Sequence, residues 1–251
     1  MSLSFKELSY LKKEPKEIFY RGNPELLNAR KVSIVGTRRP SQYTKEYTFE
    51  LAKELAKRGV VVVSGAAMGV DAIAHKGAGA NNTIAVVANG LDIKYPAVNK
   101  ALLTDIENSG LILSTFAEGF RATRWSFVVR NELVVALGEV LIVAEADLNS
   151  GTMRSVEYAL AMGKEIYVLP HRLNDSLGTN TLLANNQAKP IYDINKFANI
   201  FGEIVEVKDE FLEFIKKDNS LESVLSKFGD RVYEAELEGV IAIENGYITI
   251  L

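Results

Sequence analysis

Residues 120–131 read FRATRWSFVVRN, setting Arg121, Arg124 and Arg130 among the rings of Phe120, Trp125 and Phe127. Guanidinium groups beside flat rings suit a ligand that is negatively charged and carries stackable groups, the cation holding phosphate and the ring lying on a base. A chain whose formal net charge is −3 concentrates them in one stretch. The competing reading is packing, with Phe127 against the core and the arginines paired to Glu118 and Glu132. Trp125 reads as a packing or dimer residue rather than a base platform.

Three further stretches could hold an anion: Gly36-Thr37-Arg38-Arg39-Pro40-Ser41, then Ser64-Gly65 running on to Gly69 and Asp71, and Asn149-Ser150-Gly151-Thr152. Glycine lets a backbone approach a ligand, and hydroxyls and helix N-terminal amides donate to phosphate oxygens. Adjacent arginines add charge and bidentate geometry. One glycine after a strand merely turns the chain. Three such loops, one with two arginines, predict an anion-binding pocket if one rim gathers them. Asp71 reads as a loop-fixing or helix-capping carboxylate rather than a general base.

The elements that would gather them are legible. Residues 31–36, 60–64, 83–88, 111–114, 140–146 and 165–170 are apolar β-branched runs without alternation, the mark of parallel strands covered on both faces. Residues 47–59, 70–78, 96–110, 127–138 and 152–163 carry apolar residues at helical spacing. Alternation of the two predicts a doubly wound, mostly parallel α/β sheet of extended Rossmann-like kind. Ligands then bind beyond the carboxyl ends of the strands, where the three loops fall.

The chain changes character near residues 202–207. Residues 205–251 hold eleven acidic and five basic residues, a charge of −6, which leaves +3 on residues 1–204. Two short helical stretches, 209–218 and 221–229, precede a third that runs into a hairpin around Asn245-Gly246. We therefore expect a domain over 1–204, its first 17 residues an extension, and a small winged-helix-like domain over 205–251.

Other chemistries find little support. With no cysteine there is neither a disulfide nor a thiolate metal site, which is compatible with a reducing cytoplasm. The two histidines, His75 and His171, lie far apart, and no His-x-x-x-His pair exists, so no metal or catalytic site is expected. His75 reads as a packed helical residue. No Gly-x-Gly-x-x-Gly opens the first helix, so no dinucleotide cofactor is expected. The N-terminus lacks an apolar core of signal-peptide kind, and no apolar run is long enough to span a membrane.

The blocks SIVGTRRPS, VVSGAAMGVDAIAH, TIAVVANGLDIKYP, GLILS, FVVRN, EA…SGT and VLP…GTN.LL, in that order over residues 18–200, resemble the DNA-processing protein A (Smf/DprA) family. The resemblance implies a non-enzymatic, single-stranded-DNA-binding protein that is cytoplasmic and dimerises. It also implies delivery of incoming strands to the recombinase RecA in natural transformation. By resemblance, Arg124 and Phe127 stand where that family contacts DNA, with Gly36, Thr37, Arg38, Arg39, Ser64, Gly65, Gly69, Asp71, Arg130, Asn131, Ser150, Gly151 and Thr152 completing the pocket. Two positions depart: Met68 and Glu132 stand where the family often has cations, which shifts the load to Arg38, Arg39 and Arg124. The alternative is a nucleotide phosphoribohydrolase of the lysine-decarboxylase-like class. Its Gly-Gly-x-Gly-Thr-x-x-Glu signature is not met, since Ser155 follows Thr152 by three and the first acid is Glu157.

Overall fold

The computed structural model describes residues 5–205 and 210–251, in two compact units, Met1–Ile204 and Val205–Leu251. In the first unit the chain runs β1 (Phe19–Gly22), β2 (Lys31–Val35), α1 (Gln42–Ala56), β3 (Val61–Ser64), α2 (Val70–Ala78), β4 (Thr83–Val87), α3 (Lys100–Ser109) and β5 (Leu111–Ser114). It continues through α4 (Arg124–Leu137), β6 (Leu141–Val143), α5 (Gly151–Ala161), β7 (Ile166–Val168), α6 (Leu177–Ala184), β8 (Lys189–Pro190) and α7 (Ile194–Asn199). Every apolar run named above contains a strand. The sheet order is β1-β5-β4-β3-β2-β6-β7-β8, parallel throughout except for β1 against β5.

The continuous apolarity is explained by burial on both faces. Val61 and Val63 enter one core with α4 and α5, while Val60 and Val62 enter another with α1 and α2. The chain steps outward from β2 to β5, then crosses through α4 to β6 on the other side of β2. The switch point thus lies between β2 and β6, where a doubly wound sheet opens a crevice at its carboxyl edge.

Several boundaries differ from the sequence-based expectation. Helix α1 begins five residues early because Ser41 Oγ accepts from Thr44 N at 3.2 Å, a cap upstream of the apolar periodicity. Helix α3 starts late because Pro96 leads into a 3₁₀ turn, Ala97–Asn99. Strands β1 and β8 are additions, too short to show a periodicity. Of the N-terminal extension, residues 1–4 lie outside the described residues. The 3₁₀ turn Lys6–Tyr10 packs on the core through Leu8, and its buried Glu7 pairs with Lys31 at 2.9 Å.

The second unit runs α8 (Glu210–Lys217), α9 (Leu221–Phe228), α10 (Arg231–Leu237), β9 (Ile241–Glu244) and β10 (Tyr247–Ile250). Asp209, the first residue of the expected helix, lies outside the described residues. The antiparallel hairpin turns on Asn245 (φ 51°) and Gly246 (φ 80°), two left-handed residues as a type I′ turn requires. Phe211, Ile215, Val224, Val232, Ile241 and Ile248 close a core of its own, so three helices and a two-stranded antiparallel sheet form the second unit.

Candidate nucleic-acid interface

At the switch point a cleft of about 550 Å³ opens over the carboxyl ends of β2 and β6. Eleven of the sequence-predicted residues line it: Gly36, Thr37, Arg38, Asp71, Arg124, Phe127, Arg130, Asn131, Ser150, Gly151 and Thr152. The other four do not. Ser64 is sealed below, its hydroxyl donating to Ile34 O at 2.6 Å. Gly65 and Gly69 belong to the loop that forms one wall, and Arg39 is exposed beyond the rim.

Backbone bonds hold the rim. Thr37 N donates to Glu145 O at 2.9 Å, joining the loop after β2 to the end of β6. Val70 N donates to Thr37 O at 3.1 Å, tying in the start of α2. The glycines serve this construction rather than a ligand's approach. A Cβ on Gly65 would lie 2.1 Å from the Arg130 guanidinium, and one on Gly69 (φ 79°) would lie 2.4 Å from Thr37 O. Of Gly36, Gly65, Gly69 and Gly151, only Gly151 leaves the space of a side chain open.

Arg130, expected as a phosphate ligand, is only 4% exposed. Its Nη1 donates to Gly65 O and to Val86 O (2.8 Å), and its Nε to Asn131 Oδ1 at 3.0 Å. It therefore ties β3, β4 and α4 together beneath the cleft. Asp71 is buried beside it and accepts from Ala67 N at 3.3 Å, which is the loop-fixing geometry. Burial pushes the Asp71 carboxyl up while the Arg130 charge pulls it down. Burial likewise lowers Arg130, with Asp71 opposing.

Phe127 is half-buried, not sealed. Its ring has the Arg38 guanidinium 5.4 Å from its centroid and that of Arg130 at 5.7 Å, with the Tyr95 ring at 6.2 Å. These contacts hold the ring at the cleft mouth. The packing alternative for the arginines is not realised, because Glu118 pairs with Arg21 at 3.2 Å and Glu132 accepts from Lys12 N at 3.0 Å. Among the described residues Arg38 and Arg124 enter no ion pair, so both charges face the cleft uncompensated. Thr123 and Ser126 cap α4 reciprocally, fixing the turn that carries Arg124, Trp125 and Phe127.

The opposite wall is the start of α5. Gly151 and Thr152 sit in its first turn, where backbone amides have no intrahelical acceptor. The buried Ser150 Oγ beside them has no hydrogen-bond partner. Orphan donors, a helix N-terminus and two unpaired guanidinium groups are what a phosphate needs. Sequence reasoning missed Tyr95 and Arg154. Tyr95 lies in the loop after β4 and follows the same rim rule; Arg154 lies one turn into α5 and pairs with Glu157 at 2.7 Å.

His75 is fully buried, as expected of a packed residue. Among the described residues no cluster of three His, Cys, Asp or Glu side chains could hold a metal ion, and no helix is long and apolar enough to cross a membrane. Trp125 is 63% exposed and meets Phe116 edge-on at 5.7 Å.

Comparison with known proteins bears on the whole first unit. The family model described as DNA recombination-mediator protein A matches residues 4–202. The putative DNA processing protein DprA of Mycobacterium tuberculosis is 35% identical over 212 residues, 82% of this chain; the chain spans 53%, about half, of that relative's length. The structure of DNA processing protein A from Helicobacter pylori, described for its unique single-stranded DNA binding mode, is 44% identical, with a TM-score of 0.77, and covers 80% of this chain and 94% of that one. The structure of the Streptococcus pneumoniae protein is 32% identical, with a TM-score of 0.72, over 79% of this chain and 71% of that one.

Proposed function

Because the chain belongs to the DNA recombination-mediator protein A family, we propose that its first unit is a non-enzymatic cradle for single-stranded DNA. The carrying observation is Phe127, held half-open between Arg38 and Arg130 at the mouth of a cleft whose far wall is the first turn of α5, with its free amides and the unpartnered, buried Ser150 hydroxyl beside them. Arg38 and Arg124 take phosphates, Ser150, Gly151 and Thr152 donate to a second anionic oxygen set, and a base lies on Phe127. Arg130, Asp71, Gly36, Gly65 and Gly69 position these groups from below. Arg39 lies nearest the departing strand. A single strand suits a cleft that reads backbone and one base face; a stacked duplex offers no free face to the ring.

The reading includes the family's wider role: a cytoplasmic homodimer that shields strands entering in natural transformation and hands them to the recombinase RecA for recombination. A hydrolase finds no acid where it needs one, since Ser155 is buried at that position and Glu157 is paired with Arg154. The test is fluorescence anisotropy with single- and double-stranded oligonucleotides over a salt series. We expect preference for the single strand and affinity that falls as salt rises. Arg38→Ala and Arg124→Ala should each weaken binding with the fold intact, and Phe127→Ala should cost about 1–3 kcal/mol. Equal affinity for duplex, absence of a salt slope, or turnover of a nucleoside monophosphate would sink the proposal.

A further inference from the structure

Beyond the cleft, on the same edge of the sheet, stands a second group of rings. Tyr43 and Tyr47 are one turn apart on α1 and each is 40% exposed. Their centroids are 4.7 Å apart with planes inclined by 50°, so the two rings do not stack flat on each other. His171, just past β7, meets Tyr43 edge-on at 5.3 Å. Its Nε2 donates to Ala144 O at 2.7 Å, which pins the imidazole to the end of β6. The rings are thus braced against the sheet rim.

Charge flanks them. Arg39 lies between the cleft and α1, and Arg172 follows His171; both are exposed, and among the described residues neither side chain enters an ion pair. Glu145, at the end of β6, is engaged by α1: its Oε2 accepts from Ser41 N and Ser41 Oγ, each at 3.0 Å, and from Thr44 Oγ1. That bonding also fixes the first turn of α1, on which Tyr43 stands.

The order β2-β6-β7 carries the rim from the cleft to these rings in two strand spacings, roughly 10 Å. A nucleic-acid strand covers that distance in about three nucleotides at duplex spacing, fewer when extended. We propose that Tyr43, Tyr47 and His171 form a second stacking platform, on which bases of a single DNA strand leaving the Phe127 cleft lie while Arg39 and Arg172 hold the phosphates between. Exposed rings at separate inclinations suit successive unstacked bases of any sequence, as non-specific single-strand binders require. The inference rests on the cradle reading of the cleft, and it adds direction: the strand exits across β6 toward β7, not across β3 toward β5.

Oligothymidylates of increasing length, from about 4 to about 20 nucleotides, test it on the full chain by anisotropy. The paired variant Tyr43→Ala/Tyr47→Ala should lose about tenfold in affinity for the long strands and nothing for the shortest, while Tyr43→Phe/Tyr47→Phe should bind as the parent does. Strands bearing 5-iodouracil should photocrosslink the parent protein at Tyr43 or Tyr47, a readout that needs no variant to fold. If the alanine pair binds every length like the parent and no crosslink forms there, the platform is overturned while the cleft stands. An equal loss at every length, or loss in the phenylalanine pair as well, would make the rings packing residues and overturn it too. Failure of the parent to bind any strand would end both readings.

Discussion

The hydroxyl of Thr83 settles the state of His75. It donates to Val62 O at 2.7 Å, so its 2.6 Å contact with His75 Nδ1 must be one it accepts, which leaves the unprotonated Nε2 buried without a partner. Protonation would place a charge and an unmet N–H there. Burial, with the Arg130 charge, accordingly holds the imidazole down at about 3. Unfolded, it titrates near 6.5. A group whose folded pKa is depressed gives stability present above the unfolded value and lost as pH falls toward the folded one. The paired carboxylates Glu54, Glu139 and Glu165 also have lowered values, but their contribution fades only below the ordinary carboxylate range. Between about pH 6.5 and 5, then, urea unfolding should show stability falling by up to about 1.4 kcal/mol per unit. His75→Gln keeps an N–H for Thr83 and cannot titrate, so its profile should be flat in that window. An unchanged slope would place the acid sensitivity elsewhere.

Elements explain how far the site could be read beforehand. The strands announced themselves through unbroken β-branched runs, and the rim rule then gathered Thr37, Arg38, Arg124, Phe127 and Ser150 on one cleft. What pattern could not convey was depth. Arg130 and Asn131 follow Phe127 on α4 at i+3 and i+4, yet the helix tilts Arg130 beneath the sheet ends, where carbonyls of Gly65 and Val86 take its donors. Helical spacing assigns a face, not whether that face is floor or lip. Likewise a glycine in a rim loop looks the same whether it admits a ligand, as the open space at Gly151 could, or a neighbouring chain segment, as at Gly69. This gives a prediction at the level of the loop. At Gly69 φ is 79° and ψ −130°, a conformation costing a side-chain-bearing residue about 1–3 kcal/mol, and a Cβ would also meet Thr37 O and the Arg38 backbone. Gly69→Ala should lower the melting temperature by several degrees, at about 2–4 °C per kcal/mol, and weaken strand binding by displacing Arg38. Gly151→Ala, with nothing within 4 Å of the new methyl, should leave the melt unchanged and affect only binding. Equal melting losses in both would refute the division between building and admitting glycines.

At the scale of the whole molecule, charge and core divide the chain in the same place. The apolar clusters around the large sheet draw only on residues before 202, and that of the second unit only on residues from 211 onward. The body is +3 and the appendage −6. The helix before the hairpin, α10, which would enter the groove if this unit read DNA as the expected winged-helix module does, exposes Glu234 and Glu236, with Glu238 directly after it, beside the apolar side chains of Tyr233 and Leu237. Carboxylates there repel phosphate, so we expect the second unit to add nothing to the grip on a strand and to suit contact with a protein, or rejection of the wrong nucleic acid. Removing residues 205–251 should therefore leave single-strand affinity within tenfold of the full chain. The dependence on salt should keep its slope, because the proposed reading puts the phosphate contacts that release counterions on the first unit. Duplex binding by the truncated chain, if rejection is the appendage's task, should rise. A tenfold or larger fall in single-strand affinity would mean that the acidic unit contributes to the grip, and the cleft alone would then be too small a site to account for binding.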